Sequence, residues 1–302
     1  MQEIKGGLAN SNFCFVTSKD KVLLKICDEK GFEDLQIQAK ALKVLHESRA
    51  PVPKAYPLSK DSKSFVLESG RKRIVLYTWI EGKAGNFNET NGKMLSEVGK
   101  ALGKLHSADF KDLSVPEYQL GPKQMKEFLE NKVYGTKHEK HPFVSFLKNQ
   151  MEHLSPKIFS EKLPKGILHG DLSIDNVLFD KDHNLSGVVD FEEICHGPLI
   201  LDVGMTFGQS GFPEGNVLRK DLLRSFLGAY NEERKLNEEE KECFVSHTCF
   251  ALLSIAFWRW KQFNVLHFQE SLKDKYLELE QRIEMLQLNS QDILLEVKES
   301  AK

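Results

Sequence analysis

The run GILHGDLSIDNVLFDKDHNLSGVVDF, residues 166–191, alternates apolar residues with a few placed polar ones: His169, Asp171, Asn176 and Asp190. Asp171 and Asn176 are five positions apart, and Asp190 follows fourteen later. The pattern reads as a strand end, a polar turn, a short strand over 176–179, a tight turn over 180–184 and a second strand over 185–190. Such a hairpin brings Asp171, Asn176 and Asp190 to one end, facing a common point. A carboxylate beside an acceptor hydroxyl, with an amide oxygen and a second carboxylate on a divalent cation, suits phosphoryl transfer from ATP and Mg²⁺. On this reading Asp171 accepts or orients the hydroxyl proton, and Asn176 and Asp190 hold Mg²⁺. His169 then braces the loop, because the carboxylate already fills the place of the base. Asp202, in LILDVGMTF, is assigned a similar brace.

Such a centre needs elements that bring a nucleotide to it. The segment GGLANSN, residues 6–12, precedes an expected strand over 13–17, a turn, and a returning strand over 22–27. Glycines and small polar residues at that turn bring backbone N–H groups close to phosphates, which singles out Gly7, Asn10 and Ser11. The same residues also make an ordinary loop. Lys25 lies inside the apolar run VLLKIC, where it either faces solvent or pairs with nucleotide phosphates. Apolar residues spaced along 32–48 predict a helix. Glu33 and Asp34 are candidates to orient Lys25, or are first-turn acids favoured by the helix dipole. Strands are expected over 64–68 and 73–80, the second meeting Glu81-Gly82 as a hinge. Backbone groups around Tyr77 and Trp79 could read an adenine edge there, and either aromatic could equally be core.

Beyond the hinge the pattern turns helical. Thr90 is the expected cap of a helix reaching His106, and residues 111–141 are polar and broken by Pro116, Gly121, Pro122 and Gly135. Further helices are expected over 142–154, 216–230, 237–263 and 266–288, with a polar tail over 289–302. Strands first and helices afterwards argue for an α+β chain rather than a doubly wound sheet. The expected division is a nucleotide-binding lobe over 1–80 and a catalytic and acceptor-binding lobe over 81–288.

The chain has 302 residues, 40% of them apolar and 10% aromatic, enough for a large buried core. A net charge of −2 gives no reason to expect nucleic acid or an anionic membrane as the main partner; the partner that the Asp171, Asn176 and Asp190 chemistry calls for is a small-molecule hydroxyl acceptor. Five cysteines without a CxxC pair suit a reducing compartment, and the first residues have no apolar signal-like core, so a cytoplasmic setting is expected. Nothing in the sequence sets an oligomeric state.

HGDLSIDN followed by VVDF and LILDVG resembles the aminoglycoside phosphotransferase and choline kinase superfamily. That likeness implies a bilobal protein-kinase-like fold: a small β-rich N-terminal lobe with one key helix, and a larger, mainly helical C-terminal lobe. Within the group the chain is most similar to homoserine kinases of this fold. GGLANSNFCFVT looks like their nucleotide loop, and FWRWKQFN with KDKYLELEQRI is similar to their closing helices. Lys25 stands where some of those enzymes lack a lysine, and Gln38 stands where many small-molecule kinases carry the helix glutamate.

The resemblance implies phosphorylation of homoserine to O-phosphohomoserine, a step of threonine biosynthesis. An acceptor with a carboxylate, an ammonium and a hydroxyl needs a cation and one or more acids. Arg259, between Trp258 and Trp260, is the candidate for the carboxylate, and Glu192 or Glu193 for the ammonium. Choline or ethanolamine would use the same acids with Trp258, Trp260 or Tyr230 as a cation–π wall. An aminoglycoside would want a broadly acidic cleft. A protein kinase fits poorly, since only eleven residues separate Asp190 from Asp202. A catalytically inactive nucleotide-binding scaffold would have no use for Asp171.

Overall fold

The computed structural model describes residues 2–4, 10–18, 20–28, 30–110, 113–133, 136–158, 161–213 and 215–300. Among them, strands β1 (Gln2–Ile4), β2 (Asn10–Val16), β3 (Lys21–Cys27), β4 (Val66–Ser69) and β5 (Lys72–Thr78) form an antiparallel sheet in the order β1-β2-β3-β5-β4. Lys25 sits on the central strand, opposite Asn12 on β2 and Val75 on β5. The pleat puts Lys25 and Cys27 on one face, and both are buried. Helix α1 (Phe32–Glu47) buries Leu35, Ala39, Leu42 and Leu45, the face its periodicity predicts. The Gly31 N–H donates to Asp34 Oδ2 at 3.1 Å, so the acid of that first turn caps the helix.

Residues 79–82 leave the sheet without regular structure and lead into the helical lobe. Helix α2 (Gly92–Ser107) is capped by Asn91 rather than Thr90: Asn91 Oδ1 accepts from the Met94 N–H at 3.1 Å. It packs closely on α6 (Lys220–Glu233), where a Cβ on Gly99 would lie 2.2 Å from the Phe226 carbonyl oxygen. Helix α5 (Leu199–Ser210) is buried along its whole length and packs against α7 (Glu238–Trp260). The described residues of the broken stretch 111–141 contain the α-helix α3 (Pro122–Glu130), started by a proline at its first position, and a 3-10 turn at Thr136–His138. Helix α4 (Pro142–Ile158) leads to β7 (Lys165–Leu168).

The segment singled out at the sequence level forms two small sheets: β7 pairs with β10 (Cys195–Pro198), and β8 (Val177–Phe179) lies between β6 (Lys83–Ala84) and β9 (Leu185–Val188). Two expectations about the C-terminus need correction. The helix expected over 266–288 is shorter: after α7 come a π-helical turn (Lys261–Leu266), turns over 267–276, and then α8 (Leu277–Leu288). The expected tail over 289–302 contains helix α9 (Ser290–Ser300), which buries Ile293 and Val297, spaced four apart on one face. Glu296 on the same helix pairs with Arg224 of α6, with Arg224 Nη2 3.0 Å from its Oε2. No helix among the described residues is long and apolar enough to cross a membrane.

Candidate active site

The loop after β7 is held by buried polar groups. Asp202 Oδ2 accepts from the His169 N–H at 2.7 Å, and Oδ1 accepts from the Gly170 N–H at 3.1 Å. His106 Nε2 lies 3.3 Å from Asp202 Oδ2, and its Nδ1 is 2.8 Å from the Tyr230 hydroxyl. Burial alone would raise the Asp202 carboxyl. The hydrogen bond and charge of His106, with help from His169, overcome that and hold it below the usual carboxylate range.

The His169 ring accepts from the Asp171 N–H at Nδ1 (3.3 Å), and its Nε2 lies 3.0 Å from the Val189 carbonyl oxygen. A neutral ring donating through Nε2 satisfies both contacts, and burial lowers its pKa accordingly. Gly170 turns the chain with φ of +83°, and a Cβ there would lie 2.1 Å from the Glu193 carbonyl oxygen. The loop geometry is therefore closed to any other residue.

Asp171, Asn176 and Asp190 meet as the hairpin requires. Asn176 Nδ2 donates to the Asp171 carbonyl at 2.9 Å, and the Asn176 carbonyl accepts from the Val189 N–H at 2.9 Å. The first bond ties the start of β8 to the loop after β7, and the second ties it to the end of β9. The side-chain Oδ1 of Asn176 accepts no hydrogen bond among the described residues and is left as an oxygen ligand. Asp190 adopts the left-handed region at φ 66° and ψ 63°, a conformation a non-glycine residue keeps only when its surroundings enforce it.

Burial pushes the Asp171 carboxyl up to about 7; a hydrogen bond from Gln209 Nε2 at 3.4 Å works against this, and the carboxylates of Asp175, Asp190 and Glu193 reinforce it. A carboxylate poised there can take a proton at neutral pH.

Across the cleft, Lys25 Nζ lies 3.4 Å from Asp190 Oδ1 and also pairs with Glu192, which in turn accepts from Asn10 Nδ2 at 2.5 Å. Burial disfavours the charged amine, but Asp190 and Glu192 more than offset it, and the Lys25 pKa is raised. A cavity of about 330 Å³ lies behind these groups, with Leu23, Leu42, Tyr77, Trp79 and Ile80 in its wall. An apolar slot ending at an ammonium and a carboxylate suits a flat aromatic ring followed by phosphates.

Several expected residues fall elsewhere. Gly7 lies outside the described residues. Ser11 is exposed on β2, paired with Ile26, so the pleat turns its side chain away from the face that carries Asn10, Asn12 and Lys25. Asn12, not Ser11, lines the cavity. Glu33 is exposed in the first turn of α1 and does not partner Lys25; buried Gln38 takes the position on α1 that faces the cleft. Glu192 belongs with Lys25 and Asn10 on the nucleotide side rather than with an acceptor's ammonium. Glu193 is half-exposed and pairs with Lys30 at 2.8 Å, yet its charge reaches Asp171.

Arg259 Nη1 donates to Glu278 Oε1 at 2.5 Å and to the Lys275 carbonyl at 3.0 Å. Trp260 is fully buried, its ring 5.2 Å from that of Phe143, and Tyr230 is buried with its hydroxyl on His106 and Arg234. Neither can wall a solvent-facing cation site; Trp258 alone of the three aromatics is exposed.

Gln209 and Arg282 were not singled out by the sequence. Gln209 sits seven residues after Asp202 on the same helix, so heptad spacing from Asp202 could have found it. Arg282 on α8 has no local signal.

A family model described as the phosphotransferase enzyme family matches residues 1–236. The chain is 27% identical to a homoserine kinase of Rhodopseudomonas palustris (strain BisA53), over 79% of this chain and 72% of that one. It is 25% identical to a homoserine kinase of Methylobacillus flagellatus, over 90% of this chain and 81% of that one. Among solved structures it is similar to amicoumacin kinase in complex with AMP-PNP, Ca²⁺ and Ami. The TM-score is 0.73 at 15% identity, covering 94% of this chain and 88% of that one. That last likeness shows a shared fold, the small sheet lobe and larger helical lobe described above.

Proposed function

This chain belongs to the phosphotransferase enzyme family, and on that premise we propose that it is a homoserine kinase, transferring the γ-phosphoryl group of ATP to the side-chain hydroxyl of homoserine. The observation that carries the reaction type is Asp171, a carboxyl held near neutrality beside Asn176 and Asp190. The homoserine kinases that match most of the chain support the acceptor.

The donor set fits Mg²⁺. Asn176 Oδ1 and the Asp190 carboxylate are hard oxygen ligands, and no group of three His, Cys, Asp or Glu side chains that could hold a metal occurs among the described residues. A cation that keeps waters and relies on nucleotide phosphates needs only such a partial set. Bound there, Mg²⁺ supplies charge neutralisation of the phosphate oxygens.

The chain's own residues do the rest. Asp171 orients the acceptor hydroxyl and takes its proton as the oxygen bonds to the γ-phosphorus and the bond to the β–γ bridging oxygen breaks. Lys25 exchanges its bond to Glu192 for the nucleotide phosphates, and Asn10, bonded to the same carboxylate, stands beside them. The wall of Leu23, Tyr77 and Trp79 receives the base. His169 and Asp202 keep the loop in register. We assign residues 1–80 to the nucleotide-binding lobe and the remainder, extended through α9, to the catalytic and acceptor-binding lobe. The work is cytoplasmic, in keeping with five cysteines and no disulfide.

The test is ADP release with Mg-ATP and a panel of homoserine, choline, ethanolamine and an aminoglycoside. Homoserine should lead by at least about tenfold in kcat/KM, a margin of one acceptor interaction. A clear preference for choline or the aminoglycoside overturns the acceptor. No ADP release with any acceptor favours a nucleotide-binding scaffold.

A further inference from the structure

Arg282 is a guanidinium tied to the residue that contacts Asp171, and it makes no ion pair among the described residues. Its Nη1 donates to the Gly208 carbonyl at 3.2 Å and the Gln209 carbonyl at 3.4 Å, and its Nε donates to Asn216 Oδ1 at 3.1 Å. Its plane stands over the Phe212 ring, 5.2 Å from the centroid. All of these partners are neutral. Gly208 and Gln209 close α5, and the Gln209 side chain reaches Asp171 Oδ1, so one residue links the guanidinium to the proposed base.

The nearest acid is already engaged. Glu278, one turn before Arg282 on α8, is ion-paired with Arg259 at 2.5 Å. Glu278 is thus committed to Arg259, and Arg282 keeps only neutral hydrogen-bond partners, joined to Asp171 through Gln209. Burial lowers the Arg282 pKa, with Glu278 working against that and Arg259 adding to it. A partly desolvated cation bonded only to neutral oxygens lacks the partner that would offset its desolvation. Three fixed bonds also hold the fork in one orientation, so little side-chain entropy is lost when an anion docks on the remaining N–H groups.

We propose that Arg282 is the specificity residue of the acceptor site: its guanidinium receives the α-carboxylate of an amino-acid acceptor whose hydroxyl points at Asp171. The assignment rests on the homoserine reading above, and it names a different arginine from the one the sequence suggested. Arg259 acts through Glu278, keeping that carboxylate off Arg282. The charge of Glu193 also reaches Asp171.

The test compares homoserine with 3-aminopropan-1-ol, the same amino alcohol without the carboxylate, in the full-length enzyme and in Arg282→Gln and Arg282→Lys. The native enzyme should favour homoserine by about 100-fold in kcat/KM, the range for one charge-assisted pair. Arg282→Gln should reduce that ratio to a few-fold, mainly through the KM for homoserine, and Arg282→Lys should restore part of it. Equal losses with both acceptors, or an unchanged homoserine KM, overturn the proposal while the kinase reading stands. A second readout needs no turnover: L-2-aminobutyrate, which keeps the carboxylate and lacks the hydroxyl, should bind the native protein in the presence of AMP-PNP and bind Arg282→Gln at least tenfold more weakly. If homoserine is not turned over at all, the acceptor reading fails, and equal binding of L-2-aminobutyrate to the two proteins then overturns the carboxylate site as well.

Discussion

The proposed nucleotide and acceptor sides of the cleft are assembled in opposite ways. On the nucleotide side, Asp171, Asn176, Asp190 and Glu192 all come from one hairpin and the turns on either side of it, while Lys25 and Asn10 arrive from the small lobe. On the acceptor side, Gln209 comes from α5, Arg259 from α7, and Glu278 and Arg282 from α8. The hairpin fixes its geometry through backbone bonds between near neighbours, such as Asn176 to Val189. The acceptor wall depends on how three helices pack. A phosphotransferase built this way can keep its chemistry while side chains on α7 and α8 change the acceptor.

Substitutions on the two sides should therefore fail differently. The largest effect is expected at Asp171. Asp171→Asn should lower kcat by about 10²–10⁴-fold while the KM for ATP stays near native; a near-native kcat in steady-state assays would remove Asp171 from the base role. In the native enzyme, kcat/KM should rise with pH through about 7 as this carboxyl ionises, and Asp171→Asn should lose that limb.

The same group predicts a stability effect. Its pKa is raised in the folded chain, so the native state binds more protons than the unfolded state between about pH 4, the ordinary aspartate range, and pH 7. The Asp171 contribution to stability is thus full in acid and is lost as pH rises across that window. Asp171→Asn should then melt above the native protein at pH 8, with the gap closing toward pH 4. Melting curves that stay equal at both pH values would contradict the raised pKa.

Asp190→Asn comes next. The Mg²⁺ concentration for half-maximal rate should rise by at least about 100-fold, with homoserine recognition kept. A metal titration that overlays the native curve would break the assignment.

A smaller effect is expected at Arg259→Ala, which frees Glu278 to move toward Arg282. The homoserine KM should rise several-fold, about the worth of one partly exposed ion pair. The double variant Arg259→Ala with Glu278→Gln should recover most of it. A double variant worse than the single one would mean that Arg259 contacts the acceptor itself.

The smallest effect on activity should follow removal of residues 290–302. Ile293 and Val297 leave the core and the Arg224–Glu296 pair is lost, so Tm should fall by about 5–10 °C with kinetic constants near native. An unchanged Tm would return this segment to the status of a tail.

Much of the nucleotide side was legible in the sequence because its partners lie within one hairpin. The alternation of apolar residues set the strand faces, and the turn at 180–184 dictated which polar groups could meet. The same logic misjudged Ser11, where the pleat selects every second residue and so takes Asn10 and Asn12 instead. Glu33 misled for a related reason. A first-turn acid satisfies the helix end locally, and a carboxylate from beyond the hairpin, Glu192, reaches Lys25 first. Residues 289–302 read as polar because a helix that buries one narrow stripe exposes charge on every other side.

What the sequence determined by itself is the convergence of Asp171, Asn176 and Asp190: residue types whose spacing, within a few turns of chain, brings their oxygens together. Only the tertiary structure decided the acceptor side. Arg259 and Arg282 look alike as residues on charged helices. Which of them pairs with Glu278 and which is joined to Asp171 through Gln209 depends on the approach of α5, α7 and α8. Coulomb pairing over a few ångströms is a property of that packing, and no local pattern of residues encodes it.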